Sequence, residues 1–164
     1  MVIRMPLRFK NCVEKGLLRK IPASEDNAIR SINKAESWLK EAEKSFRGEA
    51  YDSSVLSSYL AMFHSARAIL FIDGYREKSH ACVARYLEEQ YVNNKKLEKK
   101  WVELLDHHRE IRHDDQYDLS FYYSDEKAKE ALESAEHFLQ RMKHLIDSLK
   151  KSKGTVSAGR KDKS

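Results

Sequence analysis

"VLSSYLAMFHSARAILF", residues 55–71, is apolar on most of a helix's circumference, with small Ser and Ala side chains set between the large ones. A helix with so little polar surface has to be surrounded by others, so it is expected to be the central, mostly buried element of a helical fold. The pattern predicts a helix from about Tyr51 to Asp73, with Gly74 placed to form a left-handed C-terminal cap. Upstream, Ser24 precedes an acidic first turn of Glu25 and Asp26, as a capped helix start does. Ala28, Ile32, Ala35, Leu39, Ala42 and Phe46 then recur in steps of four and three, one stripe along a helix of about six turns. Gly48 ends it.

Downstream, the turn "DGYREK" (residues 73–78) leads to Ser79, which can cap a shorter helix from His80 to about Tyr91, closed by "VNNKK" (92–96). A fourth helix carries Trp101, Leu104, Leu105, His108 and Ile111 on one face. The fifth starts at Ser124 and repeats Ala128, Leu132, Ala135, Leu139, Met142, Ile146 and Leu149 over about seven turns. With two prolines and five glycines in 164 residues, long helices meet few interruptions. The expected fold is all-α, an up-and-down antiparallel bundle of about five helices over residues 21–150, with no strand and no internal repeat. Residues 1–20 form a basic segment that precedes the bundle or packs on it, and 151–164 read as a disordered basic tail. The long stripes suit core packing first, although the same faces can meet a second subunit.

The net charge of +5 is unevenly placed. Each end, Met1–Lys20 and Lys150–Ser164, carries six basic residues and one acidic, which leaves the chain between them at −5. A broad face for duplex DNA is therefore not expected. Cys12 and Cys82 lack a CxxC pattern and read as free thiols of a reduced, cytoplasmic protein. No run is expected to reach the ~20 apolar residues of a membrane span, and the N-terminus lacks the apolar core of a secretory signal.

Polar residues interrupt the fourth helix at "HHREIRHDDQYD", residues 107–118. The face Trp101, Leu105, His108, Arg112, Asp115 starts apolar and turns charged, with Arg109 and His113 forming a second column beside it. A cation in line with core residues either meets carboxylates or opens onto a pocket for an anion. The competing reading is a solvated helix end whose charges are offset by Asp114, Asp115 and Asp118. His64 reads as a core histidine; Arg67, one turn on, needs an acidic or anionic partner, for which Asp52 is a candidate. Ser79 and His80 sit at a helix start whose amides suit a phosphate, although a plain cap explains them as well. No zinc spacing, phosphate loop, GxGxxG or GxSxG is present, so neither metal nor cofactor is expected.

"NCVEKGLLRK" (11–20), "SSYLAMFHSARAILFIDGYREKSH" (57–80), "REIRHDDQYDL" (109–119) and "SDEKAKEALESAEHFL" (124–139) together resemble the HEPN domain family over roughly Phe9 to Leu149. The resemblance implies a homodimer with the fourth helices near the shared interface, and often a minimal nucleotidyltransferase as partner. Ribonuclease members of that family carry an Arg followed by Asn, Asp or His, then a His with four to six residues between it and the Arg, and cleave RNA through the ribose 2′-hydroxyl. Arg112 and His113 match the first half; Tyr117, Asp118 and Leu119 stand where the second histidine is due, and starting from Arg109 gives only Asp114, Asp115 and Gln116. A phenol with a pKa near ~10 accepts a proton poorly beside an imidazole near ~6.5. The resemblance therefore implies a module of a toxin–antitoxin-like pair that binds nucleotide or RNA through Arg109, Arg112, His113 and Tyr117, aided by Arg67 or His80. A ribonuclease using Arg112 with His113 as an atypical base and a purely protein-binding bundle remain alternatives, as does nucleotidylation of Tyr117, Tyr122 or Tyr123.

Overall fold

The central segment forms α3, Tyr51–Asp73, and the other elements surround it in the computed structural model, which describes residues 6–117, 119 and 122–158. α3 packs along α2 (Glu25–Arg47) and α6 (Asp125–Ala158), and its remaining flank meets α4 (His80–Leu87) and α5 (Lys99–Tyr117). Ala28, Ala35 and Ala42 are the buried side chains where α2 meets this core, and such small residues let two backbones come close. Two hydroxyls cross that seam: Ser54 donates to the Ala42 carbonyl at 2.8 Å and Ser31 to the His64 carbonyl at 2.7 Å. Tyr59, Met62, Ile69 and Leu70 of α3, Val83 and Leu87 of α4, Val102 of α5, and Phe138 and Met142 of α6 fill the interior. The architecture is the all-α bundle that the periodicity implies.

Caps set the element limits. Ser24 accepts the Asn27 N–H at 3.1 Å and Ser124 the Lys127 N–H at 3.2 Å. Gly74 closes α3 at φ 81°, where a Cβ would lie 2.7 Å from the Ile21 carbonyl oxygen, so glycine is required there on two counts. Ser79 stands at the N-cap of α4, yet its hydroxyl makes no capping bond.

Several expectations need correction. To the five helices read from the sequence the basic N-terminal segment adds a short one, α1, Phe9–Glu14, which makes six among the described residues. α4 ends four residues earlier than expected and continues as a π-helical turn, Glu88–Val92. Two short strands, β1 (Leu18–Lys20) and β2 (Tyr75–Glu77), pair antiparallel with Leu18 opposite Glu77, Arg19 opposite Arg76 and Lys20 opposite Tyr75. Strands of three residues are too short for alternation to be read from sequence. α6 runs through Lys151–Ala158, which were expected to be disordered. Once a packed helix is nucleated, each added residue gains a hydrogen bond, and Lys153 holds the extension by donating to the Ile72 carbonyl at 3.2 Å. The rest of the expected tail, 159–164, lies outside the described residues.

Cys12 and Cys82 are not free thiols: they form a disulfide, fully buried, that ties α1 to α4 across 70 residues of sequence. α3 is long and apolar enough to cross a membrane by length and composition alone, contrary to expectation, but 72% of its apolar window is buried inside the bundle.

Candidate functional site

α5 ends against the start of α4, and between them lies a cleft of about 390 Å³ lined by Ser79, His80, Arg109, Arg112, His113 and Asp114, among others. α3 contributes side chains beneath it, because Tyr59 and Phe63 are one turn apart and share a face. The His80 ring stacks on Phe63 with centroids 3.9 Å apart and planes 17° from parallel. Its Nδ1 lies 3.0 Å from the Tyr59 hydroxyl and 3.3 Å from Nη1 of Arg112. A guanidinium can only donate, so Nδ1 is the acceptor and Nε2 carries the imidazole proton. The same guanidinium sits 5.4 Å over the Tyr59 ring, a cation–π contact.

Electrostatics follow from this enclosure. Burial, and then the charges of Arg112, Arg67 and Arg109, push His80 down to about 4, so it is neutral at pH 7. Burial drives the Tyr59 phenol up to about 12 despite Arg112 and Arg109, which pull the other way. Tyr59 is therefore a hydrogen-bond donor and not a base. His108, one turn before Arg112 on the same face, is buried and held down to about 4 by burial and by His107.

Arg112 is half-buried, and no described carboxylate lies within ion-pair reach of it. Its Nε is buried without a partner among the described residues. Of the acids expected to offset it, Asp114 is not within ion-pair reach, while the Asp115 side chain and Asp118 lie outside the described residues. Arg109 is also largely uncommitted: its only described ion pair is a long 3.5 Å contact with Asp106, whose closer partner is Arg85.

The other anticipated residues fare differently. His113 lines the rim, 75% exposed, with Nδ1 3.9 Å from the Asp114 carboxylate. Residues adjacent on a helix point about 100° apart, so His113 does not share the face of Arg112. His80, weighed mainly as a helix start, occupies the place beside the arginine instead. Arg67 is bound to the fold by Glu77, 2.9 Å away with its side chain only 6% exposed, and lies 5.1 Å over Phe71. Asp52 cannot serve it: fifteen residues along one helix is about 22 Å, and the Asp52 carboxylate instead accepts the Tyr123 N–H at 3.0 Å. Tyr117 is the last residue of α5; its side chain, like that of Asp115, and all of Asp118 lie outside the described residues. Tyr59 was missed altogether, because a phenol within an apolar run reads as core.

Among the described residues, no group of three or more His, Cys, Asp or Glu side chains is placed to hold a metal. The cleft brings together two guanidinium groups and a neutral imidazole, which suit holding an anion, alongside the carboxylates of Glu110 and Asp114. The HEPN domain family model matches residues 28–145, spanning α2 to α6 and the whole cleft.

The chain belongs to the HEPN domain family.

Relatives agree with that assignment. A protein of Methanocaldococcus jannaschii named "Putative toxin" is 29% identical over 132 residues, covering 80% of this chain and 96% of the relative. Two proteins named "UPF0332 protein" are also similar. The one from Thermotoga maritima is 25% identical over 73% of this chain and 90% of its own length. The one from Archaeoglobus fulgidus is 28% identical over 71% of this chain and 92% of its own. Within this HEPN domain Arg112 and His113 both line the cleft, and the residue five beyond the arginine is Tyr117.

Proposed function

We propose that this HEPN domain is a toxin-like binding module that holds the phosphate of a nucleotide or an RNA strand in the α4–α5 cleft. One observation carries the reading: Arg112 is half-buried and, among the described residues, meets a neutral imidazole and an aromatic face but no carboxylate. A partly desolvated cation in that position is unfavourable until an anion arrives. Arg109 adds a second guanidinium, His113 a rim contact, and Ser79 an uncommitted hydroxyl. The name of the Methanocaldococcus relative supports the toxin-like part. A homodimer and a minimal nucleotidyltransferase partner belong to the same proposal, resting on family resemblance.

The ribonuclease reading has weaker support. A base with a pKa of about 4, as at His80, is poorly matched to neutral pH, Tyr59 keeps its proton, and His113 stands off the Arg112 face. Calorimetric titration with adenosine monophosphate tests the binding reading. Wild type is expected to bind, and Arg112→Ala to bind about tenfold to a hundredfold more weakly, the range for losing a charge-assisted contact. Equal affinity in both proteins refutes it. Size-exclusion chromatography with light scattering, and coexpression with a neighbouring nucleotidyltransferase followed by mass spectrometry, test the dimer and the partner.

A further inference from the structure

The ribbon formed by β1 and β2 presents cations that the cleft does not use. Residues directly opposite in an antiparallel pair project from the same face, and Arg19 stands directly opposite Arg76. Such a like-charge pair disfavours the ribbon when nothing anionic lies over it. Lys78, two residues beyond Arg76, extends the same face, and all three side chains are exposed. They line a depression of about 380 Å³ with Ile21 and Glu77. None of the three is ion-paired to a described acid. Glu77 is the one acid within the ribbon, and its carboxylate is ion-paired with Arg67. Around the depression three cations therefore face one acid that Arg67 already balances.

Its position gives that charge a direction. Lys78 is followed at once by Ser79 and His80, which line the cleft. His80 is four positions on from Arg76, a span of at most about 14 Å. A mononucleotide in the cleft carries its phosphate at one end of this span, whereas a strand with a phosphate at every nucleotide reaches both. We propose that the β1–β2 ribbon is a phosphate-binding track for single-stranded RNA, on which Arg19, Arg76 and Lys78 hold the backbone of a strand whose neighbouring phosphate occupies the Arg112 cleft. This rests on the cleft reading and names its ligand as a strand rather than a free nucleotide. Continuity with the cleft favours a polynucleotide over an acidic peptide, since phosphates in series suit both places with one chemistry.

The test compares wild type, Arg19→Ser/Arg76→Ser and Arg112→Ala. Fluorescence anisotropy follows a short labelled single-stranded RNA over a salt series, and calorimetry follows adenosine monophosphate. The ribbon substitutions are exposed and remove a repulsion, so the fold is expected to survive, which circular dichroism checks. For the ribbon variant, RNA binding is expected to weaken about ten- to thirtyfold at ~0.1 M salt and the log–log salt slope to fall by about 1.4, the value for two single-strand phosphate contacts. Monophosphate binding is expected to be unchanged. RNA affinity and slope identical to wild type overturn the track while leaving the cleft intact if Arg112→Ala still loses the monophosphate. RNA binding that depends on the ribbon but not on Arg112 refutes the cleft reading and leaves the track. Polyglutamate binding as tightly as RNA, with the same ribbon dependence, makes the surface a protein-docking site and overturns the proposal; binding of neither ligand overturns both.

Discussion

Replacing Arg112 with Met keeps the length of the side chain and removes its charge, and His80 reports the difference. Nη1 of Arg112 lies 3.3 Å from His80 Nδ1, and His80 is depressed from 6.5 to about 4, with burial the largest cause and Arg112 the largest of the charges. Two unit charges about 4 Å apart interact by about 4 kcal/mol at an effective dielectric of about 20. That corresponds to about three pKa units, more than the whole depression, and is an upper bound for a half-exposed pair beside an open cleft. Because burial contributes most, the arginine accounts for less than half. Removing it is therefore expected to raise His80 by about one unit, or about 1.4 kcal/mol. A proton–carbon NMR titration of the ring in both proteins measures this directly. If His80 titrates at the same pH in the variant, or near 6.5 already in wild type, the enclosed His80–Arg112 pair is refuted, and with it the basis for an anion site.

Acid is expected to unfold the protein early. His64, His80 and His108 are each held down to about 4, so between pH 6.5 and 4 the unfolded chain binds protons that the folded chain refuses, and stability falls as pH falls. For the buried His108 alone the slope approaches about 1.4 kcal/mol per pH unit; urea unfolding that is flat from pH 7 to about 5 contradicts this. Arg67→Ala strands the buried Glu77 carboxylate and should destabilise by about 3–5 kcal/mol, with Arg67→Ala/Glu77→Gln recovering much of the loss in denaturant titrations. Reduction, or Cys12→Ser, should cost up to about 4 kcal/mol given a closure of 70 residues. A Tm indifferent to dithiothreitol argues against the cross-link.

The bundle was legible because its evidence is periodic and local. The stripes of α2 and α6 and the apolar run of α3 each declare a helix and its inner face without reference to the rest of the chain. The ribbon and the disulfide were not legible, since each depends on partners far apart in sequence, and strands of three residues carry no alternation to read. In the site, Arg112 could be found because Trp101, Leu105 and His108 lead to it along one face. His80 could not be weighted properly, because only packing brings the start of α4 against the end of α5. A signal for Tyr59 existed: Tyr59, Phe63 and Arg67 fall in steps of four, so one edge of the central helix carries polar tips amid its apolar surface.

The Cys12–Cys82 bond also closes a ring, and the α2–α3 corner lies within it. Gly48, Glu49 and Ala50 at that corner are exposed, and Glu49 holds φ 59°, unusual for a residue with a side chain. Exposed corners of this kind are where proteases cut. A single nick there would open the ring without releasing either fragment, so the two pieces would migrate together until a reducing agent separated them.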